Sequence, residues 1–172
     1  IVANRYTRLS FGIATSGSID VSTGTSFSLF LELLVIGAVI AGNDGAFYVG
    51  TDDNSMSGTA FSLTTGNQYG FKILKVGGVC TLYSTTSNGT AETATSLGAL
   101  AELDNMFLTA VSKSGSTEFY KDNVLVATHT TNLSTGQFQD YTGAIAITNL
   151  NTAYDFKCSV TTYNFEKFSG FS

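Results

Sequence analysis

Hydrophobic and polar positions alternate along most of this chain. Leu9, Phe11 and Ile13 interleave with Ser10 and Gly12. Phe27, Leu29, Leu31, Leu33 and Val35 share one face of a longer run. Its other face begins with Ser26 and Ser28 and ends with Leu34 and Ile36, so the second half of that run is read as covered on both sides. Phe71 and Ile73 alternate with Gly70 and Lys72, and the same period continues in Cys80 and Leu82, Val124 and Val126, Ile145 and Ile147, and Phe156, Cys158 and Val160. A period of two sends successive side chains to opposite faces of an extended strand. Turn residues punctuate these runs at short intervals. Gly77-Gly78, Asn88-Gly89, Ser114-Gly115 and Asp122-Asn123 suit tight hairpins, and Asn43-Asp44-Gly45 and Thr65-Gly66-Asn67 suit longer turns. Many short strands at this spacing predict a two-layer sandwich or a barrel. Helical potential is confined to Ala91–Asn105, where Thr and Gly make a loop or short strand an equal reading.

Composition sharpens the picture. The 172 residues fit one domain, which we expect over 1–165, with 166–172 as a closing edge or tail. Only 12% of residues are charged and none is proline, a composition of ordered chain rather than linker. The net charge of −5 and scattered Lys and Arg argue against nucleic acid and against anionic membranes as partners. The longest apolar run, Phe27 to Ala41, contains Glu32 and is shorter than the ~20 residues a bilayer span needs, so no membrane insertion is expected and a buried strand pair is the reading. Cys80 and Cys158 are read as two buried thiols, with a long-range disulfide as the alternative. The chain opens at Ile1 without a basic and apolar leader, which reads as a processed chain or a piece of a longer one.

The segment Asn105 to Thr131 is more specific. A strand Phe107-Leu108-Thr109-Ala110-Val111 and a polar turn lead into Phe119-Tyr120-Lys121-Asp122-Asn123-Val124-Leu125-Val126. This resembles the laminin-G-like signature of a tyrosine, any residue, Asp-Gly and an aliphatic residue at a tight hairpin, within the concanavalin A-like lectin and glucanase superfamily. Asn123 stands where the signature has glycine, and Asn tolerates the left-handed conformation. The family's tryptophan before the central strand is replaced here by Met106-Phe107. Thr25–Leu31, Ala46–Gly50, Gly143–Ile147 and Phe156–Phe165 look like further strands of that family in the right order. The resemblance implies an all-β, two-sheet antiparallel jelly-roll β-sandwich. It does not imply a function, because that fold carries many.

Candidate chemistry is sparse. A glycosidase needs paired carboxylates across a cleft. Glu102-Leu103-Asp104 is the nearest match, but a third acid would fall at Met106 or Phe107, so a solvated loop is the plainer reading. Glu32 is read as lying at an edge or paired with a cation. His129, the only histidine, is flanked by Thr128 and Thr130 and is read as a strand-surface residue with no nucleophile beside it. We expect no catalytic residue. One His and two distant Cys leave zinc without a ligand set. Calcium is the metal candidate, with Asp52 and Asp53 as ligands and Asn54 beside them, against the plainer reading of an Asp/Asn-rich turn. With no tryptophan, the rings for stacking on a sugar would be Tyr48, Tyr141 and Tyr154, near expected loops or strand ends. Asn88-Gly89-Thr90 and Asn132-Leu133-Ser134 match the glycosylation acceptor pattern.

The expectation is a non-enzymatic, lectin-like interaction domain at an extracellular or virion surface, meeting a glycan or protein surface. Its candidate contacts are Tyr48, Asp52, Asp53, Asn54, Tyr141 and Tyr154. The alternatives are a structural building block that meets other copies of itself or other subunits, and a glycoside hydrolase.

Overall fold

The computed structural model describes residues 5–12, 19–20, 24–35, 44–52, 66–134, 137–138, 142–149 and 156–167. Among them are thirteen strands and no helix: β1 (Arg5–Gly12), β2 (Ile19–Asp20), β3 (Thr25–Val35), β4 (Gly45–Asp52), β5 (Asn67–Val76), β6 (Val79–Asn88), β7 (Glu92–Leu100), β8 (Asn105–Lys113), β9 (Ser116–Lys121), β10 (Val124–His129), β11 (Gln137–Phe138), β12 (Thr142–Asn149) and β13 (Phe156–Lys167). They form a six-stranded sheet in the order β1-β12-β4-β5-β6-β7 and a five-stranded sheet in the order β10-β9-β8-β3-β13. A short pair, β11-β2, stands beside them.

Strands β4 to β7 form a meander in one sheet and β8 to β10 a meander in the other. Two-residue turns join β5 to β6, β8 to β9 and β9 to β10. The turn Asp122-Asn123 has both residues in the left-handed region, with φ of 52° and 65°, as the hairpin reading required. Its carboxylate accepts a hydrogen bond from the Phe107 amide at 2.9 Å, tying the turn to β8. Strand β7 occupies the segment that was open between loop and strand.

Period two is legible in the burial of β8. Met106, Leu108, Ala110 and Ser112 are buried, and Phe107, Thr109 and Val111 are half-buried on the other face. Phe27, Leu29 and Leu31 of β3 and Phe47, Val49, Tyr69, Phe71, Ile73, Leu82 and Phe119 complete the apolar layer between the sheets. Phe71 stands edge-on to both Phe27 and Phe119, at centroid distances of 6.1 and 5.4 Å. Cys80 lies in this layer as a free thiol, and burial pushes its pKa up. The side chain of Cys158 lies outside the described residues.

Three expectations are corrected. Of the two readings of Glu32, an edge position or a cation partner, the edge position is removed, because β3 is flanked by β8 and β13. Val124 and Val126, read as continuing the same alternation as the core strands, are 63% and 38% exposed. A bulge between Leu125 and Ala127 changes which residues of β10 meet the core, and Ala127 and His129 turn inward instead. His129 is therefore buried, at 3% exposure, and not on the strand surface.

Candidate functional site

Residues that alternate with the core positions of β4, β5 and β6 point to the outer face of the six-stranded sheet. Register aligns Tyr48 with Lys72 and Tyr83, and Gly50 with Gly70 and Thr85. Ser87 stands between Gln68 and Glu92. This face is apolar only in part, yet several of its residues are as buried as the core: Tyr48 is fully buried, Gln68 is 1% exposed and Lys72 4%. Gly50 and Gly70 face each other, and no side chain fits there. A Cβ on Gly70 would lie 2.4 Å from the Val49 carbonyl oxygen, and one on Gly50 would lie 2.6 Å from the Tyr48 hydroxyl. The Tyr48 ring lies over the gap that the two glycines leave.

That placement explains the hydroxyl of Tyr48. It donates to the Thr51 carbonyl at 2.7 Å and lies 3.1 Å from the Tyr69 carbonyl. The regular pairing of β4 with β5 ends at Gly50 and Gly70. Beyond it, the Thr51 hydroxyl accepts from the Tyr69 amide at 3.0 Å and donates to the Tyr69 carbonyl at 3.1 Å. Two side chains thus satisfy backbone groups that the ladder leaves open.

Charge enters the face as a linked set. Lys72 Nζ meets Glu92 Oε1 at 2.5 Å, and the same oxygen accepts from the Thr85 hydroxyl at 2.5 Å. The pair is largely desolvated, with side chains 5% and 13% exposed. Gln68 differs. Its amide oxygen and nitrogen are both buried, and neither has a hydrogen-bond partner among the described residues. Leaving such groups unpaired costs about 1–3 kcal/mol each. Together, Gln68, Thr85, Lys72 and Glu92 offer a spare amide donor and acceptor beside a neutralised ion pair.

The residues singled out from sequence fall differently. Tyr48 is not a ring at a rim. It is buried, and its hydroxyl is bound to backbone carbonyls, so no ring face is presented to solvent. Asp52 ends β4 opposite Thr142 of β12. Asp53, Asn54, Tyr141 and Tyr154 lie outside the described residues. Asp53 and Tyr141 adjoin in sequence the paired residues Asp52 and Thr142. Among the described residues no group of three His, Cys, Asp or Glu could hold a metal ion. Glu102 and Asp104 sit in the turn between β7 and β8, where Asp104 accepts from the Ala101 amide at 2.8 Å. Of the two acceptor tripeptides, Asn88 caps the β6–β7 turn, its side-chain oxygen accepting from the Thr90 and Ala91 amides. Asn132 donates its amide to Thr93 at 3.0 Å. Gln68, Lys72 and Glu92 escaped the sequence reading. The signal was present in two in-strand glycines, which mark close backbone approach, and in the polar positions opposite the apolar face.

A second polar set lies between the sheets. His129 Nε2 is 3.2 Å from the Ser84 hydroxyl and 3.0 Å from that of Thr95, and Nδ1 is 3.1 Å from Thr86. The ring packs on Phe119 at 4.8 Å, and desolvation lowers its pKa.

No family model and no curated protein matches this sequence. Solved structures do. The carbohydrate recognition domain of Emp47p superposes with a TM-score of 0.56 at 11% identity, over 96% of this chain and 80% of that one. The potassium-bound carbohydrate recognition domain of Emp46p gives 0.55 at 12%, over 96% and 80%. The PL7 alginate lyase AlyA1 from Zobellia galactanivorans gives 0.51 at 10%, over 88% and 65%. At these identities the likeness is one of fold. With its two antiparallel sheets and crossed strand order, the chain is an all-β jelly roll of the concanavalin A-like kind.

Proposed function

We propose that this chain is a non-enzymatic, lectin-like carbohydrate-binding module displayed on a virion or extracellular structure. We place its contact at Gln68, Thr85, Lys72 and Glu92. The observation that carries the reading is the Gln68 amide, enclosed with both polar atoms unpartnered. A sugar's hydroxyls donate and accept at once and so match an amide edge. Two fold neighbours are carbohydrate recognition domains, which supports the same class. In this proposal the module spans 1–165 with 166–172 closing it. Asp52, Asp53, Asn54, Tyr141 and Tyr154 also contribute to the ligand contact in this proposal, with Asp52 and Asp53 as its calcium ligands.

The test is a glycan array probed with the native chain and with Gln68→Leu, each with calcium and with a chelator. Gln68→Leu removes the orphaned amide, so its stability in urea should be unchanged or raised by about 1 kcal/mol. Its glycan binding should fall at least about tenfold, a loss of about 1.4 kcal/mol. A native chain that binds no glycan, or a variant that binds equally well, overturns the reading. Equal binding in chelator removes calcium from it.

One observation favours a second reading, a structural building block. β10 is an edge strand, and its first half exposes Val124, Leu125 and Val126 in a row. Unprotected edges pair with other strands. Sedimentation over a hundredfold range of concentration should show concentration-dependent association. A monomer throughout defeats this second reading.

A further inference from the structure

His129 sits where the two sheets meet at one side of the sandwich. β10 and β7 are the edge strands of different sheets, and they pack together. The imidazole reaches from β10 to three hydroxyls, Ser84 and Thr86 on β6 and Thr95 on β7. The link continues beyond the strand. Thr86 and Thr93 both donate to the Thr131 carbonyl at 3.3 Å. The Thr93 and Thr131 hydroxyls lie 3.0 Å apart, and Asn132 donates to Thr93. Residues 129–132 thereby hold the edge of one sheet to the edge of the other.

This link contains no charge. From β6 the ring meets Ser84 and Thr86, and from β7 it meets Thr95. From β9 it meets Phe119, with its strand partner Thr117 alongside. The described carboxylates of the flanking strands β7 and β9 are turned elsewhere. Glu92 of β7 is held by Lys72 and Thr85 on the outer face, and Glu118 of β9 is held by Lys113 and Tyr120. β8 contributes Ala110 and Ser112 to the inner side. An imidazolium here would have three hydroxyls and no anion among the described residues. A charge buried without a counter-charge is strongly disfavoured.

We propose that His129 is a pH-sensitive latch, whose protonation releases β10 and residues 130–132 from β6 and β7 and opens that side of the sandwich. The closed form binds the neutral ring, and the open form admits the proton. The pKa of the closed form lies below the ordinary histidine value of about 6.5, because burial disfavours the cation. Closure is therefore at full strength above about 6.5 and weakens as pH falls from there toward the closed-form pKa.

The chain has one histidine, so its imidazole resonances report this site without ambiguity. NMR titration of the native chain should give a pKa below 6.5. Native-state hydrogen exchange between pH 7.5 and 5.5 should show amides of 93–97 and 127–132 opening at lower free energy than those of β3 and β8. Below pH 6.5 their protection should fall about tenfold per pH unit, the slope of one proton taken up on opening. His129→Gln keeps a neutral donor and acceptor, and its protection should be flat over the same range. A measured pKa at or above 6.5 overturns the latch. So does exchange of these amides only together with the core, or an unchanged slope in His129→Gln. If that variant does not fold, the native titration and exchange still decide.

Discussion

Lys72 and Glu92 show how much one side chain can depend on another. Their ion pair is largely out of water, and the same carboxylate oxygen also holds the Thr85 hydroxyl. Removing one partner leaves a buried charge, whereas removing both leaves none. Lys72→Met is therefore expected to destabilise the chain by about 3 kcal/mol. The double variant Lys72→Met, Glu92→Leu should be destabilised less than that single one. Urea denaturation of the three proteins checks the order, and a double variant worse than Lys72→Met refutes the account. Gln68 is the converse case, where an apolar replacement leaves nothing unpaired. These residues were hard to find from sequence because lysine, glutamate and glutamine in strands ordinarily face water. Their burial depends on what the fold lays over them.

At the scale of elements, the join of β4 and β5 depends on two facing glycines under the Tyr48 ring. Gly70→Ala would place a methyl 2.4 Å from the Val49 carbonyl oxygen and 2.8 Å from the Gly50 Cα, both backbone atoms with little freedom to move. We expect a loss of about 3 kcal/mol, the upper range for overpacking. Gly77→Ala is the control. Its φ of +58° makes an L-residue strained, but nothing lies within 4 Å of the new methyl. It should cost about 1 kcal/mol. Thermal melts of both variants distinguish close packing from backbone strain as the source of the loss. The strands themselves, β3 and β8 above all, were legible because their alternation is unbroken. β10 was not, because the extra residue at its bulge changes which side chains face the core. Alternation in the sequence continues through a bulge, but the faces do not.

For the whole molecule, acid acts on the sandwich in two steps with known signs. His129 is held neutral, so its contribution is intact above about 6.5 and declines as pH falls toward its depressed pKa. Glu118 is held ionised, first by the hydrogen bond from Lys113 and then by that from Tyr120, so its pKa is depressed too. Its contribution is intact above the ordinary glutamate value of about 4.3 and is lost as pH falls through the folded value. Much of the architecture was readable in the chain alone. Alternation, hairpin residues and a low charge fraction dictate extended strands, tight turns and two layers, because each is a local consequence of side-chain spacing and backbone sterics. The tertiary structure alone decided which faces are enclosed. It put Tyr48 under cover instead of at a rim, gave Gln68 no partner, and carried His129 from an expected surface into a cage of hydroxyls from two other strands. Those outcomes depend on strands distant in sequence meeting in a particular register, and no local pattern encodes that meeting.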